Sequence, residues 1–472
     1  MTLLFSLVSD NLNRQILIEF VNSIPKIDRV ILIQEGSLEI KFKRKIKLIK
    51  LDYDEIFLGN YLGYEKKYKL DLEENNFFKN HHTDILFMMN RIHRLYSYTF
   101  SERYNMLKNQ IKGAIGLFNV YDPDLCLFMN MPHEIFDYTF FKVAEYRNIK
   151  RKFLFQGAQL DSYYQILSDI KGNDPNLKDY ENKSEVLSKN LNAIVANYLE
   201  PSHEVFYMKK GWKSHSRSQK GLEKIKIKIK THLNFLKKAN KNGRLFEYLF
   251  IHLLFHNYEK FLIKISLLFS FNNILKDKYK FILVPLHLEP ELTTSPMGGA
   301  FYDQMEMIEL INRNCPSGYK IIVKEHPVQK INHTRNKYFF KKIKSFKNVI
   351  YLDKKSKSTK DFIEISDIIA TLNGSVGFEA LCKQKKVIVF GEPFYMHYKG
   401  CYKINNDDDF LEFIKNKDTF TNNSKELNKF LNNCESKFHL GYIDLDFASR
   451  SSISFEDNAN NIALNVKKSF GI

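Results

Sequence analysis

The sequence predicts an α/β protein built from two domains. Its 472 residues are more than one hydrophobic core usually organises, and the hydrophobic share of 44% is enough to bury two. Between residues 281 and 390, short apolar runs alternate with helical patterns at the spacing of βαβ units, which indicates a parallel sheet. A weaker alternation of the same kind runs through residues 1–195.

The first half predicts strands at residues 3–8, 30–33 and 125–128. The last of these leads through His133 and Glu134 into a predicted helix over 136–146 and a strand over 152–155. Because this loop follows a strand and precedes a helix, it lies at a carboxyl edge, where ligands bind. If the two domains face each other across a cleft, Glu134 or His133 could serve the acceptor side; the alternative is that Glu134 is a first-turn carboxylate that favours the helix dipole.

The middle of the chain is strongly basic. Residues 209–244 hold thirteen basic residues and one acidic residue, an excess of +12 within a net charge of +18. This charge suits either a solvated linker or docking on an anionic membrane surface, and the lack of a recognised binding motif disfavours nucleic acid. Residues 245–271 predict a long amphipathic helix whose charged side chains exclude a membrane span, and residues 273–278 predict a hinge.

The second half has the clearer pattern. It predicts strands at 281–286, 319–323, 349–352, 367–372 and 387–390, with helices at 304–314, 338–345, 359–366 and 376–382. A helical tail follows, and we expect its last helix, 456–468, to return to the first domain. The predicted limits are therefore an N-terminal domain (1–200), a basic and helical connection (201–275), a C-terminal domain (276–430) and a helical tail (431–472).

Residues 367–382 combine a buried strand, the turn Asn373-Gly374-Ser375 and a helix. The N–H groups and positive dipole end of such a helix can bind an anion. Glu379 follows Ser375 by one helical turn, where its carboxylate can accept sugar hydroxyls. The alternative is a serine N-cap with a glycine placed for close packing.

Lys324-Glu325-His326-Pro327 follows another predicted strand. The carboxyl ends of parallel strands share one sheet edge, so this loop and the serine loop are expected to meet. Pro327 disfavours helical backbone at His326 and keeps the imidazole in the loop. We therefore expect Lys324, His326 and Pro327 to join Asn373, Gly374 and Ser375 in a phosphate site, with an ordinary loop histidine as the alternative.

A third loop at the same edge carries His287, Glu289 and Glu291 around Pro290. A carboxylate there could stabilise a sugar cation, and surface acids beside a proline are the alternative. The chain has no Asp-x-Asp where a metal-bound diphosphate would need it, and Asp407-Asp408-Asp409 is typical of a helix start. We predict no metal and no cofactor.

The motifs Leu-His-Leu-Glu-Pro-Glu, Lys-Glu-His-Pro, Asn-Gly-Ser-Val-Gly-Phe-Glu-Ala and Phe-Gly-Glu-Pro-Phe-Tyr, in this order, resemble the bacterial capsule polysaccharide biosynthesis family, which includes Kdo transferases. The resemblance covers residues 275–400. It implies a GT-B glycosyltransferase, with two Rossmann-like domains facing a cleft. By this resemblance the N-terminal domain (1–200) is the acceptor side, and the C-terminal domain (276–430) binds the nucleotide sugar. The resemblance favours a CMP-activated sugar. It also implies that an acid of the third loop attacks the anomeric carbon: Glu291 or Glu289, where relatives often carry Asp.

From the resemblance we expect transfer of Kdo from CMP-Kdo to a lipid-linked or glycan acceptor. Scattered cysteines without paired spacing and the absence of a basic leader predict a cytoplasmic protein, peripheral on the inner face of the inner membrane. Three alternatives stay open. They are a UDP- or GDP-sugar transferase, a CDP-glycerol-type glycerophosphotransferase and a non-catalytic scaffold of a capsule export complex.

Overall fold

The computed structural model describes residues 1–36, 38–90, 98–170, 175–200, 279–329, 335–354, 356, 358–420 and 422–472, with scattered positions from 229 to 261. The chain divides into two compact units, one of residues 1–89, 99–173 and 431–472 and the other of residues 90–98 and 174–430. The predicted hinge at 273–278, and most of the predicted basic segment 209–244 and helix 245–271, lie outside the described residues.

The described strands are numbered in chain order. They are β1 (Thr2–Val8), β2 (Arg29–Gln34), β3 (Lys47–Asp52), β4 (Leu125–Phe128), β5 (Lys150–Phe155), β6 (Tyr163–Leu167), β7 (Lys280–Pro285), β8 (Tyr319–Lys324), β9 (Val349–Leu352), β10 (Ile368–Thr371), β11 (Lys386–Val389), β12 (Cys401–Lys403) and β13 (His439–Leu440).

In the first unit, the described strands form a seven-stranded sheet in the order β13-β6-β5-β4-β1-β2-β3. β1 to β5 pair in parallel, whereas β6 and β13 pair antiparallel at one edge. Its helices are Asn11–Ser23, Tyr53–Phe57, Tyr64–Lys67, Leu72–Lys79, His82–Met88, Phe100–Tyr121, Ile135–Tyr146 and Phe455–Ser469.

In the second unit, the described strands form a six-stranded, fully parallel sheet in the order β12-β11-β10-β7-β8-β9. Its helices are Lys189–Leu199, Gln304–Arg313, Lys337–Ser345, Thr359–Ile365, Ser375–Cys382 and Asp407–Asn416; the helix Ser424–Lys437 has residues in both units. Ile282, Val323 and Ile388 belong to the core cluster on one face of the sheet, and Leu283, Ile322 and Ile369 are buried on the other face.

Both sheets follow the doubly wound order of Rossmann folds. Read from β3 and from β9, each runs third, second, first, fourth and fifth strand of its unit. The predicted fold class, α/β with two Rossmann-like units, is confirmed. The facing of the two units across a cleft stays a prediction.

The strands predicted in the second half are observed within a residue or two of their predicted ends. Strands β3, β6, β12 and β13 are not among the predicted elements, because an exposed edge strand such as β3 and very short strands such as β12 and β13 carry little apolar pattern. Residues 174–200 group with the second unit rather than with the predicted domain 1–200. The reason is that the helix Lys189–Leu199 packs on the helix Ser375–Cys382, with Tyr198 edge-on to Phe378.

Within the described residues, no helix has the length and apolar character needed to cross a membrane.

The C-terminal helix Phe455–Ser469 completes the core of the first unit. Ser454 begins the helix by accepting a hydrogen bond from the Asp457 amide. Its apolar face, including Ile462 and Val466, packs on the helix Asn11–Ser23. The last helix therefore belongs to the first unit, although it lies more than 400 residues from its partner in the sequence.

Replacing Ile462 by alanine should lower the free energy of unfolding by about 2–5 kcal/mol, because its side chain is fully buried and leaves a cavity. Leu464 on the same helix is 48% exposed, so Leu464→Ala should change it by less than about 0.5 kcal/mol. Urea unfolding of both variants measures the difference. Equal effects would contradict this packing.

Candidate active site

The second sheet places three loops of polar residues at its carboxyl edge. In a doubly wound sheet, ligands bind where the strand order reverses, which is between β7 and β10 in this unit. The loop after β7 carries His287, Glu289 and Glu291, and the loop after β10 carries Asn373 to Ser375. β8 lies beside β7 and ends in the His326 loop. The three predicted loops therefore start from adjacent strands.

His287 connects the loops after β7 and β10. Its Nε2 atom lies 3.1 Å from Thr371 Oγ1 and accepts a hydrogen bond of 3.4 Å from the Asn373 amide, while its own amide donates to Gln304 Oε1 at 2.7 Å. Burial lowers the pKa of His287 to about 3, and positive charge on neighbouring groups adds to this effect. The ring is therefore neutral, and it joins the two loops as a buried hydrogen-bonding group.

Close packing explains Gly374 in the turn Asn373-Gly374-Ser375, called here the serine loop, and Gly377 in the helix that follows it. A Cβ atom on Gly374 would come within 3.0 Å of His287 Cε1 and Thr371 Oγ1. A Cβ atom on Gly377 would come within 2.4 Å of the Tyr395 hydroxyl, which itself donates a hydrogen bond of 2.6 Å to the Gly374 carbonyl. Gly377 therefore has no room for a side chain, and at Gly374 the neighbouring side chains would have to shift by a few tenths of an ångström, in agreement with the close-packing interpretation.

Ser375 is the first residue of its helix, and Gly374 is the N-cap. Since Gly374 has no side chain, no side-chain hydrogen bond caps this helix. The preceding Asn373 is buried and donates from Nδ2 to the carbonyls of Thr293 and Met297, both at 2.9 Å. Asn373 thus fastens the serine loop to the loop after β7, and the uncapped helix start lies beside that junction.

The predicted Lys324-Glu325-His326-Pro327 loop begins with a buried lysine side chain. Lys324 is 3% exposed and donates to the backbone carbonyls of Glu325 and Asp353, and burial lowers its pKa. Its amine therefore serves the loop backbone. Burial, with Arg335 and Lys324 adding to it, lowers the pKa of His326 to about 4, so this imidazole is also neutral near pH 7. Its Nδ1 atom is buried without a hydrogen-bond partner among the described residues.

The two acids after β7 have different surroundings. Glu289 is 2% exposed, accepts a 2.6 Å hydrogen bond from Arg335 Nη1 and a second of 2.9 Å from Gln304 Nε2. Burial raises its pKa against the opposing effect of Arg335. Glu291 is exposed, and its backbone amide and carbonyl hydrogen-bond to Thr294. Of the two, Glu291 is the carboxylate that solvent or a substrate can reach.

Glu379 lies on the helix Ser375–Cys382 and is 7% exposed. Its Oε1 atom is 3.4 Å from Lys383 Nζ, and Lys383 also pairs with Glu364 at 2.8 Å. Burial raises the pKa of Glu379, partly offset by Lys383 and Lys360. Its nearest charged neighbours are thus those lysines, so a role in binding sugar hydroxyls stays a prediction.

In the first unit, His133 and Glu134 follow β4 directly before the helix Ile135–Tyr146. This loop begins where the strand order of the first sheet reverses, between β1 and β4. His133 Nδ1 lies 2.7 Å from the Met131 carbonyl, and its Nε2 lies 3.8 Å from Glu134 Oε1. Glu134 is the N-cap residue but makes no side-chain cap bond. The edge location predicted for both residues is observed.

Arg335 and Tyr395 are not among the site residues predicted from the sequence, and His287 has no predicted role. Arg335 stands in a basic stretch where nothing distinguishes it from neighbouring lysines. Tyr395 lies within the Phe-Gly-Glu-Pro-Phe-Tyr motif, so its place in a shared motif was the signal available. No group of three or more His, Cys, Asp or Glu in the described parts of the chain is placed to hold a metal ion. The expectation of a metal-free reaction stays a prediction.

Gly377→Ala should lower the free energy of unfolding by about 1–3 kcal/mol, because the new methyl group overlaps the Tyr395 hydroxyl. In a Tyr395→Phe background the same substitution should cost measurably less, since the nearest atom is gone. Chemical denaturation of the four proteins gives the coupling between the two sites. Additive effects would show that the two side chains do not meet.

Unfolding should become easier as pH falls below about 6.5, the ordinary pKa of histidine. With its folded pKa near 3, His287 stays neutral while the unfolded chain takes up a proton, so stability falls from pH 6.5 toward pH 3. At pH 5 the loss is about 2 kcal/mol for one such residue. Urea unfolding measures the loss of unfolding free energy between pH 7.5 and pH 5. This loss should be smaller in His287→Asn than in the wild type by about that amount. An equal loss in the two proteins would mean that His287 is not held neutral.

Comparison with known proteins gives one family match. Residues 270–420 match the family model described as "Capsule polysaccharide biosynthesis protein". No curated protein matches the sequence.

Three solved structures illustrate the structural likenesses. The KpsC β-Kdo 2,7 transferase of Thermosulfurimonas dismutans is 14% identical, with 79% of this chain and 98% of that chain covered and a TM-score of 0.32. The KpsC β-Kdo 2,4 transferase of the same organism is 20% identical, and the match spans 34% of this chain and less than half, 46%, of that one, with a TM-score of 0.24. A UDP-GlcNAc 2-epimerase from Neisseria meningitidis is 11% identical, covers 99% of both chains and has a TM-score of 0.25.

At such low identities and TM-scores, the assignment depends on the family match, whose residues contain all three loops of the second sheet. Residues 270–420 of the protein thus resemble the capsule polysaccharide biosynthesis family, whose model they match.

Proposed function

We propose that this protein is a glycosyltransferase of capsular or surface polysaccharide biosynthesis that transfers Kdo from CMP-Kdo to a lipid-linked or glycan acceptor. The main support for the proposal is that the family match and the three loops of the candidate site fall on the same residues. The family match covers residues 270–420, and the same residues build the three loops at the point of strand reversal. That point is where doubly wound sheets bind nucleotides.

The serine loop suits the donor phosphate. An uncapped helix start offers backbone N–H groups and the positive end of the helix dipole to an anion, and Ser375 adds a hydroxyl. His326 complements it as a neutral imidazole with a buried, unsatisfied Nδ1 atom among the described residues. A hydrogen-bond donor that is already in place can stabilise the negative charge that develops on the leaving phosphate, because no solvent or side chain has to reorganise during the reaction.

For the sugar we propose Glu291 as the reacting or stabilising carboxylate. Glu289 is unsuited to nucleophilic attack, because its buried carboxylate already accepts two hydrogen bonds, from Arg335 and Gln304. Glu291 lies two residues further along the same loop and is exposed. Glu134 or His133 remains the predicted base for the acceptor hydroxyl.

Incubation of the protein with CMP-Kdo, CMP-sialic acid, UDP- and GDP-sugars and CDP-glycerol, followed by assay of the released nucleotide, tests the proposal. We expect CMP release from CMP-Kdo that increases with acceptor. Release from UDP- or GDP-sugars alone would refute the CMP-Kdo donor and leave a glycosyltransferase. Release of CMP from CDP-glycerol alone indicates a glycerophosphotransferase, and tight partner binding without nucleotide affinity indicates a scaffold.

His326→Ala and Ser375→Ala should each reduce donor use. Loss of a hydrogen bond to a charged group costs roughly 1.5–3 kcal/mol, which is about tenfold to more than a hundredfold in kcat/KM. His82→Ala and Ser345→Ala are the matched controls, because these residues lie on other helices, His82–Met88 and Lys337–Ser345. Unchanged kinetics in both site variants would refute the phosphate site.

We also propose that the basic segment, residues 209–244, docks the enzyme on an anionic membrane surface. Replacing Lys224, Lys226, Lys228, Lys230 and Lys237 by glutamine should abolish binding to anionic vesicles, at about 1 kcal/mol per lysine, and leave turnover of a soluble acceptor intact. The control replaces an equal number of exposed lysines elsewhere, Lys26, Lys41, Lys43, Lys45 and Lys425. Normal vesicle binding with lost turnover in the first variant would place the segment in the active site instead.

A further inference from the structure

Arg335 is the most deeply enclosed cation of the second unit among the described residues, with 2% of its surface exposed. Its Nη1 atom donates to Glu289 Oε2 at 2.6 Å, and its Nε atom donates to Glu325 Oε2 at 3.1 Å. The face of the guanidinium lies 4.4 Å from the ring centre of Phe339. Burial alone would lower the pKa of Arg335, but the two carboxylates outweigh burial and hold it above its ordinary value.

The two carboxylates come from two different loops of the candidate active site. Glu289 follows β7, and Glu325 follows β8. Arg335 lies beyond both strands, just before the helix Lys337–Ser345. One side chain therefore joins the ends of two neighbouring strands, and it does so through charge-assisted hydrogen bonds, the strongest kind available to it.

Glu325 passes this connection on to His326. While Glu325 Oε2 accepts from Arg335 and from the Tyr351 hydroxyl at 3.0 Å, Glu325 Oε1 accepts the backbone N–H of His326 at 2.9 Å. This carboxylate therefore holds Arg335 and Tyr351 with one oxygen and the His326 backbone with the other. A movement of Arg335 would move the peptide that carries the histidine.

Glu289 makes the matching connection to His287. Gln304 Nε2 donates both to Glu289 Oε2 at 2.9 Å and to the His287 carbonyl at 3.2 Å, and Gln304 Oε1 accepts the His287 amide. Arg335 Nη2 also lies 3.5 Å from the His287 carbonyl. The same guanidinium is therefore connected to the backbone of both histidines. It reaches His326 through Glu325, and it reaches His287 directly and through Glu289 and Gln304.

The ion-pair network contributes little net stability compared with an apolar core of the same volume. Buried ion pairs lose much of their attraction to desolvation, and apolar side chains of equal volume are often as stable or more stable. Apolar contacts are also non-directional, whereas a guanidinium with two carboxylate partners sets distances and angles. Geometry rather than stability is thus what this arrangement adds.

We propose that Arg335 is a positioning residue of the active site, which sets the separation and orientation of the His287 and His326 loops through Glu289 and Glu325. The geometric part of this proposal concerns the fold of the second unit. Its consequence for the donor rests on the proposed function.

The deciding variant is Arg335→Lys, which keeps the charge but cannot reach both carboxylates as a planar fork does. Loosening of the loop should let water reach His326, and the pKa of its imidazole should rise from about 4 toward the ordinary value by about one unit or more. NMR titration of the folded protein measures this, with the signal assigned by its loss in His326→Asn. Arg313→Lys is the control, since Arg313 pairs with Asp407 and is 54% exposed.

Binding of CMP, measured by calorimetry, should weaken about tenfold in Arg335→Lys and stay unchanged in Arg313→Lys. A wild-type pKa for His326 in folded Arg335→Lys would overturn the positioning role, whatever the activity. A raised pKa in a protein whose wild type binds no CMP and releases no nucleotide would support the positioning role and refute the proposed function instead.

If Arg335→Lys does not fold, Tyr351→Phe decides the question. It removes one hydrogen bond to Glu325 without changing the charge of the network. We expect a smaller rise in the pKa of His326 than for the lysine variant, and no rise in Tyr338→Phe, whose ring is 68% exposed. A His326 pKa equal to wild type in Tyr351→Phe would overturn the proposal.

Discussion

The candidate active site depends on a buried cation with two anionic partners. Arg335 draws Glu289 and Glu325 together from the ends of adjacent strands, and both carboxylates lie in loops that carry a histidine. Removing one partner of such a buried pair typically costs about 3–5 kcal/mol, because it leaves a charge without compensation. The acids that a sequence suggests for catalysis are therefore partly structural, and Glu291 is left as the exposed carboxylate of its loop.

Close packing imposes a second constraint on the same edge. His287 fits against Gly374, and the Tyr395 hydroxyl fits against Gly377 while it donates to the Gly374 carbonyl. The motifs that resemble the capsule family are thus in contact with one another: the Leu-His-Leu-Glu-Pro-Glu loop, the Asn-Gly-Ser turn and the Phe-Gly-Glu-Pro-Phe-Tyr segment. These contacts restrict which residues each segment can carry, independently of any ligand.

Two neutral histidines give the site its electrostatic character. Burial keeps His287 and His326 uncharged near neutral pH, with pKa values of about 3 and about 4. A fixed positive charge at these positions would bind any anion, whereas neutral hydrogen-bonding groups act over short distances and select for geometry. In the proposed reaction, the helix start at Ser375 supplies the positive potential, His326 supplies a directional hydrogen bond, and His287 holds the two loops together.

The sequence by itself determined the α/β class, the strands of the second half and the loops at their carboxyl ends, because buried parallel strands and the helices between them leave local apolar periodicities. It also placed His326 and Ser375 at one edge, since parallel strands end together. Only the tertiary structure decided which polar residues do structural work. Glu289 and Glu291 look alike in the chain, but Arg335, 46 residues after Glu289, makes one of them an ion-pair partner. The strand order was likewise decided by contacts between distant segments, which no local pattern contains.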